Sequence, residues 1–267
     1  MSGIRTIYEK VRGTAYVLLV LVVVVIAWEA ACRLLSIPAF ILPAPSTSFY
    51  ELISAPAYFL RQTLFTLQIT AVGFALALAV GFVLALAITY STFLERTLYT
   101  LLVALNSVPK VALAPLFVIW LGTGAEPKVA IVLTIAIFPI VIDTVLGLRS
   151  ADPDLLSLAR ASRASPWQVL WKIRLPSALP SMFAGMKVGI SLALVGAIVG
   201  EFVAGDTGLG QTILVAQGMF QTPRMFVSII LLGILGTALF YLFDLLERLL
   251  IPWHISQRGQ HAGSHGA

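Results

Sequence analysis

Six long apolar stretches limit what this chain can fold into more than any other feature of its sequence. A helix needs about 20 apolar residues to cross the roughly 30 Å of hydrocarbon in a bilayer. The stretches cover residues 15–35, 63–90, 98–121, 129–148, 183–203 and 226–251. They are too long and too continuously apolar for the alternating strands of a β-barrel, and helices satisfy their own backbone groups in lipid. The sequence therefore predicts an all-α integral membrane protein with six transmembrane helices.

The charge content agrees with a membrane protein. Charged residues make up only 11% of the chain and hydrophobic residues 59%, whereas an average soluble domain is about 25% charged. The net charge is +5, but the basic residues lie at the ends of the apolar stretches rather than along one polar face. This placement is typical of membrane topology signals, and we expect no nucleic-acid partner.

Basic residues are divided unevenly between the two sides of the predicted membrane. The richer side has Arg5, Lys10, Arg12, Arg96, Arg149, Arg160, Arg163, Lys172, Arg174, Arg248 and Arg258, and the poorer side has Arg33, Arg61, Lys128 and Arg224. Because basic connections stay in the cytosol, both termini are predicted to be cytosolic. The predicted organisation is a cytosolic N-terminus (1–14), a single transmembrane domain (15–253) and a disordered Gly-, Ser- and His-rich cytosolic tail (254–267).

The connection between the fourth and fifth stretches, residues 149–180, carries clear helix-start signals. Asp152 followed by Pro153 predicts an N-cap with proline at the first helical position. Ser165, Pro166 and Gln168 form a capping-box pattern, which predicts that a second helix begins there. Pro176 predicts the end of that second helix at the preceding residue. The loop is therefore expected to form two short helices, as a docking element would.

Two interpretations of this loop remain open from the pattern alone. Trp167, Leu170 and Trp171 fall on one stripe of the second helix, while Arg160 and Arg163 come from the first helix and the turn. Such a surface could dock a cytosolic protein. It could also lie at the membrane surface, where Trp and Arg side chains anchor loops to lipid headgroups.

Residues 158–180, centred on Ala161-Ser162-Arg163-Ala164-Ser165-Pro166, resemble the "EAA" loop of permease subunits of binding-protein-dependent ABC importers. Further segments similar to the nitrate, sulfonate and taurine branch of that family are Asn106-Ser107-Val108-Pro109, Ala114-Pro115-Leu116, Trp120-Leu121-Gly122, Phe138-Pro139-Ile140, Gly147-Leu148-Arg149, Gly200-Glu201 and Gly208-Leu209-Gly210. The resemblance extends over nearly the whole chain from Pro43 to Trp253. It implies a type I ABC importer permease fold with cytosolic coupling helices.

In that family the first helix of the loop docks in a groove of a separate ATPase subunit. The resemblance implies ATPase-coupling roles for Ser157, Ala159, Arg160, Arg163, Ala164, Ser165 and Trp167. Ser157 stands where the family usually has glutamate, and Arg163 where it usually has glycine. A non-glycine residue in a left-handed turn costs on the order of 1 kcal/mol. The turn is therefore either altered, or Arg163 pairs with an acidic residue of the partner.

The chain itself is expected to bind no cofactor and to catalyse no reaction. No lysine lies in a G-x-x-x-x-G-K-[ST] phosphate-binding pattern, so ATP and Mg²⁺ are expected on the partner ATPase. All three histidines, His254, His261 and His265, lie in the predicted tail. No apolar stretch therefore offers a histidine for a metal site or a Ser–His pair.

Charged residues within apolar stretches need partners, a water-lined path or a route to the interface. The candidates for the translocation path are Asn106, Lys110, Asp143 and Glu201. Lys110 lies between two prolines that break the helix, so it could face a cavity. The alternatives are that Lys110 pairs with a carboxylate such as Asp143, or that it extends outward. Lys187 lies near the cytosolic end of the fifth stretch, and we expect its side chain to snorkel to that interface.

The expected protein is a multi-pass permease of the bacterial cytoplasmic membrane. The resemblance implies a second permease copy, two cytosolic ATPases and an extracytoplasmic substrate-binding protein as partners. It also implies a small, anionic solute such as nitrate, a sulfonate or taurine, although bicarbonate and pyrimidine vitamin precursors suit the same branch. An ion-coupled carrier or channel without ATPase subunits is the alternative function.

Overall fold

The computed structural model describes the backbone of residues 2–252 and most of the side chains in that range, and the chain there is all-helical. The α-helices are α1 (Ser2–Leu34), α2 (Pro45–Ser54), α3 (Pro56–Tyr90), α4 (Thr92–Leu94), α5 (Thr100–Asn106), α6 (Ala114–Leu121), α7 (Glu126–Arg149), α8 (Pro153–Ala161), α9 (Pro166–Val169), α10 (Leu175–Ala204), α11 (Leu209–Gly218) and α12 (Thr222–Leu250). Two π-helical turns (Glu95–Tyr99 and Leu170–Arg174) and one 3₁₀ turn (Lys110–Leu113) join them. The predicted tail, with its three histidines, lies outside the described residues.

Four helices in the described part of the chain are long and apolar enough to cross a membrane. They are Pro56–Tyr90, Glu126–Arg149, Pro166–Ala204 and Thr222–Leu250, and they correspond to the second, fourth, fifth and sixth predicted stretches. The first predicted stretch lies in α1. The third, residues 98–121, is not one continuous helix, because α5 ends at Asn106 and the 3₁₀ turn begins at Lys110. The total of six transmembrane helices remains a prediction.

The chain divides into two compact units. The first comprises Met1–Arg61 and Thr212–Leu231. Within it, the Trp28 and Phe226 rings lie 5.7 Å apart, and the Arg224 guanidinium pairs with Glu51 at 2.8 Å. Cys32 is buried, and its thiol donates to the Leu42 carbonyl. Helix α2 begins at Pro45 and follows the proline-containing connection after α1.

The second unit comprises Gln62–Gln211 and the residues from Leu232 onward, and its core lies where α3, α7 and α10 meet. The buried residues that these three helices contribute are Ile69, Phe74, Ala77, Val132, Ala136, Ile140, Ile190, Ala193 and Ala197. Glycines let α7 and α10 approach closely. A Cβ on Gly196 would lie 2.9 Å from the Cα of Val132, and one on Gly147 would lie 2.8 Å from the Ala178 carbonyl oxygen. Small residues of this kind are typical of helix contacts in membranes.

The prediction that Pro176 ends the second loop helix is wrong. Helix continues without a break over Pro166–Ala204, because the π turn Leu170–Arg174 absorbs the proline. Its wider turn moves the backbone carbonyls away from the proline ring, which would clash in a regular α-helix. The Ser177 hydroxyl donates to the Ile173 carbonyl at 2.9 Å, which occupies one of the acceptors near the bulge.

Candidate functional site

Both helices of the 149–180 loop begin at the residues that the sequence predicts. The Asp152 carboxylate accepts the backbone N–H of Asp154 at 2.8 Å and caps α8. The capping box of α9 is complete, because the Ser165 hydroxyl accepts the Gln168 N–H at 3.3 Å and the Gln168 side chain accepts the Ser165 N–H at 2.9 Å. These caps satisfy backbone donors that a helix start leaves open, so the loop is folded locally and both predicted starts are confirmed.

The turn between α8 and α9 is a complete Schellman motif with arginine at the position that favours glycine. The Ala164 N–H donates to the Ala159 carbonyl at 2.9 Å, and the Arg163 N–H donates to the Arg160 carbonyl at 3.0 Å. Arg163 itself has φ +54°, in the left-handed region, where a side chain costs on the order of 1 kcal/mol. The turn therefore keeps the geometry of a glycine-containing turn and projects a guanidinium from it.

The outer surface of α8 exposes apolar and cationic groups together. Leu155 and Leu158 are 48% and 63% exposed. The Arg160 guanidinium donates to the Ser157 hydroxyl at 3.2 Å and lies 3.4 Å from the Leu156 carbonyl. Among the described residues, no carboxylate forms an ion pair with Arg160 or Arg163. This surface therefore offers two leucines and two arginines to a partner.

The remaining predicted coupling residues differ in accessibility. Ala159 is buried, and Ala164 is half-buried beneath the turn. Ser165 is exposed, but its side chain is engaged in the capping box. Trp167 is 67% exposed and meets Trp171 edge-on, with ring centroids 5.4 Å apart. Ala159 and Ala164 thus shape the turn from inside, whereas Trp167 faces outward from the second helix.

Lys110 and Asn106 meet at the break between α5 and the 3₁₀ turn. The Lys110 ammonium donates to the Asn106 side-chain oxygen and lies 5.6 Å from the centre of the Phe138 ring. Both residues line a cavity of about 100 Å³ together with apolar side chains and Thr134. In the described part of the chain Lys110 forms no ion pair, so the predicted alternative of a Lys110–Asp143 pair is not present.

Asp143 lies on the face of α7 that packs against Gly185 of α10. A Cβ on Gly185 would lie 2.7 Å from the Asp143 Cβ and 3.0 Å from one carboxyl oxygen, so the glycine makes room for this side chain. Asp143 is half-buried, and we find no hydrogen bond or ion pair to it from the described residues. A charged group in an apolar span is costly without a partner or a water-lined path, so Asp143 remains a candidate residue of the translocation path.

Glu201 is fully buried near the end of α10 and joins that helix to α3 and to the following turn. Its carboxyl oxygens accept the Thr66 hydroxyl and the Gly210 N–H, both at 2.7 Å. The Leu209 N–H in turn donates to the Thr66 hydroxyl at 2.9 Å. Both oxygens are therefore occupied within the chain, and Glu201 holds the turn after α10 in place.

Gly208 explains why that turn is rich in glycine. Its φ of +114° is rarely adopted by residues other than glycine, and a Cβ there would collide with the Glu201 carboxyl group. The Gly208 N–H donates to the Gln62 side-chain oxygen at 2.6 Å. The Gly208-Leu209-Gly210 segment thus forms a cradle around the buried Glu201 carboxyl group, whereas Gly200 faces Lys128.

Lys128 lies beside this cradle and links it to the exposed loop. Its side chain is 2% exposed, its ammonium lies 4.9 Å from the centre of the Phe65 ring, and it pairs with Asp206 at 3.5 Å. The Asp206 backbone N–H and the Thr207 hydroxyl, with the Lys128 charge, lower the pKa of the Asp206 carboxyl below its ordinary value. Asp206 therefore remains charged at neutral pH and gives the buried lysine its counterion.

The expectation that Lys187 snorkels to the interface is wrong. Its ammonium donates to Asp244 at 3.2 Å and to Glu247 at 2.5 Å, and its side chain is only 11% exposed. Arg248 also pairs with Asp244 at 2.7 Å. Since these acids lie on α12, some 57 to 60 residues away in sequence, the four charges form a neutral cluster that joins α10 to α12.

Gln62 and Thr66 are functional candidates that the sequence reasoning missed. They lie four residues apart at the start of an apolar helix and are 4% and 0% exposed. Polar residues at this spacing share one helix face, and buried polar groups need partners. That spacing in an otherwise apolar run was the available signal.

The family relationship follows from the order of these features and from comparison with known proteins. The model of the family described as "Binding-protein-dependent transport system inner membrane component" matches residues 77–253. The chain belongs to this family. It is therefore the multi-pass inner-membrane permease subunit of an ABC importer, a transport subunit rather than an enzyme. Membership implies ATPase and substrate-binding partners.

Named relatives cover almost the whole chain. The riboflavin transport system permease protein RibX of Chloroflexus aurantiacus is 39% identical over 88% of this chain and 89% of its own length. The formylaminopyrimidine transport permease protein ThiX of Halalkalibacterium halodurans is 32% identical, with coverages of 94% and 98%. The putative aliphatic sulfonates transport permease protein SsuC of Bacillus subtilis is 31% identical, with coverages of 91% and 88%.

The fold is that of a solved ABC transporter. A chain of the methionine ABC transporter MetNI, in an inward-facing conformation, superposes with a TM-score of 0.66 at 20% identity, over 73% of this chain and 97% of that one. At this identity the likeness concerns the fold alone. The permease fold is of the type found in type I ABC importers.

Proposed function

We propose that this chain pairs with a second copy of itself to form the translocation path of an ATP-driven importer for a small nitrogen heterocycle. ATPase subunits drive the pair through α8 and the following turn, and a binding protein delivers the solute. ATP and Mg²⁺ belong to the ATPase. Both termini lie in the cytosol, as the distribution of basic residues predicts.

The observation that carries the coupling role is the Arg163 turn. A glycine would relieve the left-handed strain there, yet the chain keeps an exposed arginine with φ +54°. Backbone strain of this kind persists where the surrounding structure and function require it. Next to it, Leu155, Leu158 and Arg160 supply an exposed apolar and cationic surface, and such surfaces mark protein-binding sites. The partner that fits is an ATPase groove with an apolar floor and a carboxylate at its edge.

Assembly of the purified importer tests this role. Arg163→Glu places a negative charge opposite the expected carboxylate and should reduce co-purification of the ATPase with the permease. Lys172→Glu is the matched control, because Lys172 is an exposed cation of the same loop outside α8 and the turn. Co-purification of Arg163→Glu at the wild-type level would contradict the coupling role.

A heterocyclic solute is supported by the relatives named for riboflavin and formylaminopyrimidine transport, which cover most of this chain. Two features of the spans suit such a solute. Phe138 offers an aromatic face beside the Lys110 cavity, and Asp143 offers a hydrogen-bond acceptor without a partner in the described chain. A heterocycle with N–H groups would stack on the first or donate to the second during its passage.

A sulfonate is the second candidate, and a different observation favours it. Lys110 is a cation without a carboxylate partner in the described residues, and the sulfonate permease SsuC of Bacillus subtilis is 31% identical. In this case the anion would contact Lys110 and Asn106 during passage. Glu201, with both oxygens occupied, would hold the path's outer end rather than contact the solute.

Uptake by proteoliposomes with Lys110→Ala distinguishes the two solutes. For an anionic solute, loss of the ammonium should lower the uptake rate at least about tenfold, because a hydrogen bond to a charged group is worth about 1.5–3 kcal/mol. For an uncharged heterocycle the rate should stay near wild type, whereas Asp143→Asn should lower it. An unchanged rate in both variants would remove both residues from the path.

A further inference from the structure

We propose that an anionic phospholipid binds in the pocket between the end of α3 and the start of the Pro166–Ala204 helix, with its phosphate on Arg174. This site lies outside α8, shares only Trp167 with the predicted ATPase-coupling residues, and does not depend on the identity of the solute. Its elements all belong to the second compact unit.

The pocket is apolar and of a size suited to the upper part of an acyl chain. It has a volume of about 230 Å³ and is lined by Leu86, Tyr90, Pro166, Trp167 and Leu170. The π turn widens the helix at Leu170, and the Leu170 side chain is buried beneath it. Water in such a pocket would find few hydrogen-bond partners, which favours an apolar occupant.

A cation with an unused donor lies at the edge of this pocket. Arg174 follows Leu170 by about one turn, and its guanidinium carbon lies 5.4 Å from the centre of the Tyr90 ring. The Arg174 Nε is buried and has no hydrogen-bond partner, and no carboxylate of the described residues pairs with this guanidinium. Arg174 as a whole is only half-buried, so the remaining N–H donors of its guanidinium can meet an external acceptor.

The pocket lies at the depth of the lipid headgroups, so a headgroup phosphate is the acceptor that Arg174 would meet. The hydrocarbon core takes about 20 helical residues, so a core centred on the apolar run of α3 ends near Leu86. Tyr90 lies one turn further, about 6 Å beyond the hydrocarbon, at the depth of the phosphates. Trp167, Trp171 and Lys172 occupy the adjoining turns, and Trp and basic residues are enriched at this interface.

Phospholipid retention by the purified importer, assembled with its ATPase subunits, tests the site. The probe is an equimolar mixture of phosphatidylglycerol and phosphatidylcholine with identical acyl chains, and bound lipid is counted by native mass spectrometry. Wild type should retain phosphatidylglycerol preferentially. Arg174→Gln should lower that retention about fivefold, the worth of roughly 1 kcal/mol per basic residue near an anionic surface, and Arg174→Lys should restore most of it.

Two further variants make the test specific. Arg96→Gln removes an exposed charge from the predicted same side of the membrane and should leave retention unchanged. Leu86→Trp fills the pocket without a charge change and should lower retention even if Arg174→Gln fails to fold. If Arg174→Gln and Arg96→Gln lost equal amounts of bound phosphatidylglycerol, the lipid would be held by general attraction to basic residues, and the proposal would be overturned. So would wild-type retention in Leu86→Trp, or retention that disappears when the ATPase binds.

Discussion

Replacing Glu201 by glutamine tests the cradle that holds the turn after α10. The two carboxyl oxygens of Glu201 accept one hydrogen bond each, from the Thr66 hydroxyl and from the Gly210 N–H, both at 2.7 Å. Glutamine has the same shape but only one acceptor oxygen. Its amide nitrogen must therefore face one of these two donors in a site that is 0% exposed. Facing Gly210, it leaves that N–H unsatisfied; facing Thr66, it turns the hydroxyl toward the Gln62 carbonyl 3.2 Å away, and the hydrogen bond from Thr66 to residue 201 at 2.7 Å is lost.

An unsatisfied buried donor costs about 1–3 kcal/mol, and loss of one buried hydrogen bond about 0.5–1.5 kcal/mol. A cost of about 2 kcal/mol corresponds to a roughly 30-fold increase in the population of molecules in which the turn after α10 is locally unfolded. Hydrogen exchange of the permease in detergent measures this directly, because amides of the turn exchange through local opening. The Gly208 and Gly210 amides should exchange about 30-fold faster in Glu201→Gln than in wild type.

Glu126→Gln is the matched control. Glu126 is exposed at the start of α7, so its replacement should leave exchange in the 205–210 turn unchanged. Thr66→Val should accelerate the same amides as Glu201→Gln, because it removes the hydroxyl that links Glu201 to the Leu209 N–H. Wild-type exchange at Gly208 and Gly210 in Glu201→Gln would refute the account of the cradle.

Three other substitutions test the packing and strain described above. Arg163→Gly should stabilise its turn by about 1 kcal/mol and slow amide exchange in residues 159–165; faster exchange would contradict the strain. Lys187→Met removes the ammonium that pairs with Asp244 and with the buried Glu247, leaves Asp244 its pair with the exposed Arg248, and should cost about 3–5 kcal/mol, seen as a lower melting temperature; an unchanged melting temperature would refute the buried ion pair. Gly196→Ala should lower the free energy of unfolding by about 1–3 kcal/mol, because its Cβ overpacks against α7. Gly233→Ala is the control, since a Cβ there meets no atom within 4 Å, and it should not destabilise the protein. Equal melting temperatures for the two variants would contradict the close helix contact.

Local features of the fold were accessible from the sequence. The caps at Asp152 and Ser165 depend on residues within three positions, so their patterns predicted both helix starts. The break before Lys110 follows from Pro109 and Pro115 in the same way. Pro176 shows the limit of local reasoning, since a π turn several residues earlier accommodates the proline within a continuous helix.

Contacts between distant helices were not accessible from the sequence. Lys187 finds its acids on α12, and apolar periodicity does not show which helix will face it. The role of Glu201 is similar, because its partner Thr66 is 135 residues away. Gly208 and Gly210 entered the sequence reasoning only through the family resemblance, and only the fold shows that they make room for a carboxyl group.

ATP-driven uptake in proteoliposomes tests the central claim most directly. The permease is reconstituted with its ATPase subunits, and the loaded binding protein is supplied on the outside. The account predicts that solute accumulates only when ATP, the ATPase and the binding protein are all present, and that Arg163→Glu reduces accumulation while Lys172→Glu does not. Accumulation driven by an ion gradient, with neither ATP nor ATPase subunits, would contradict it.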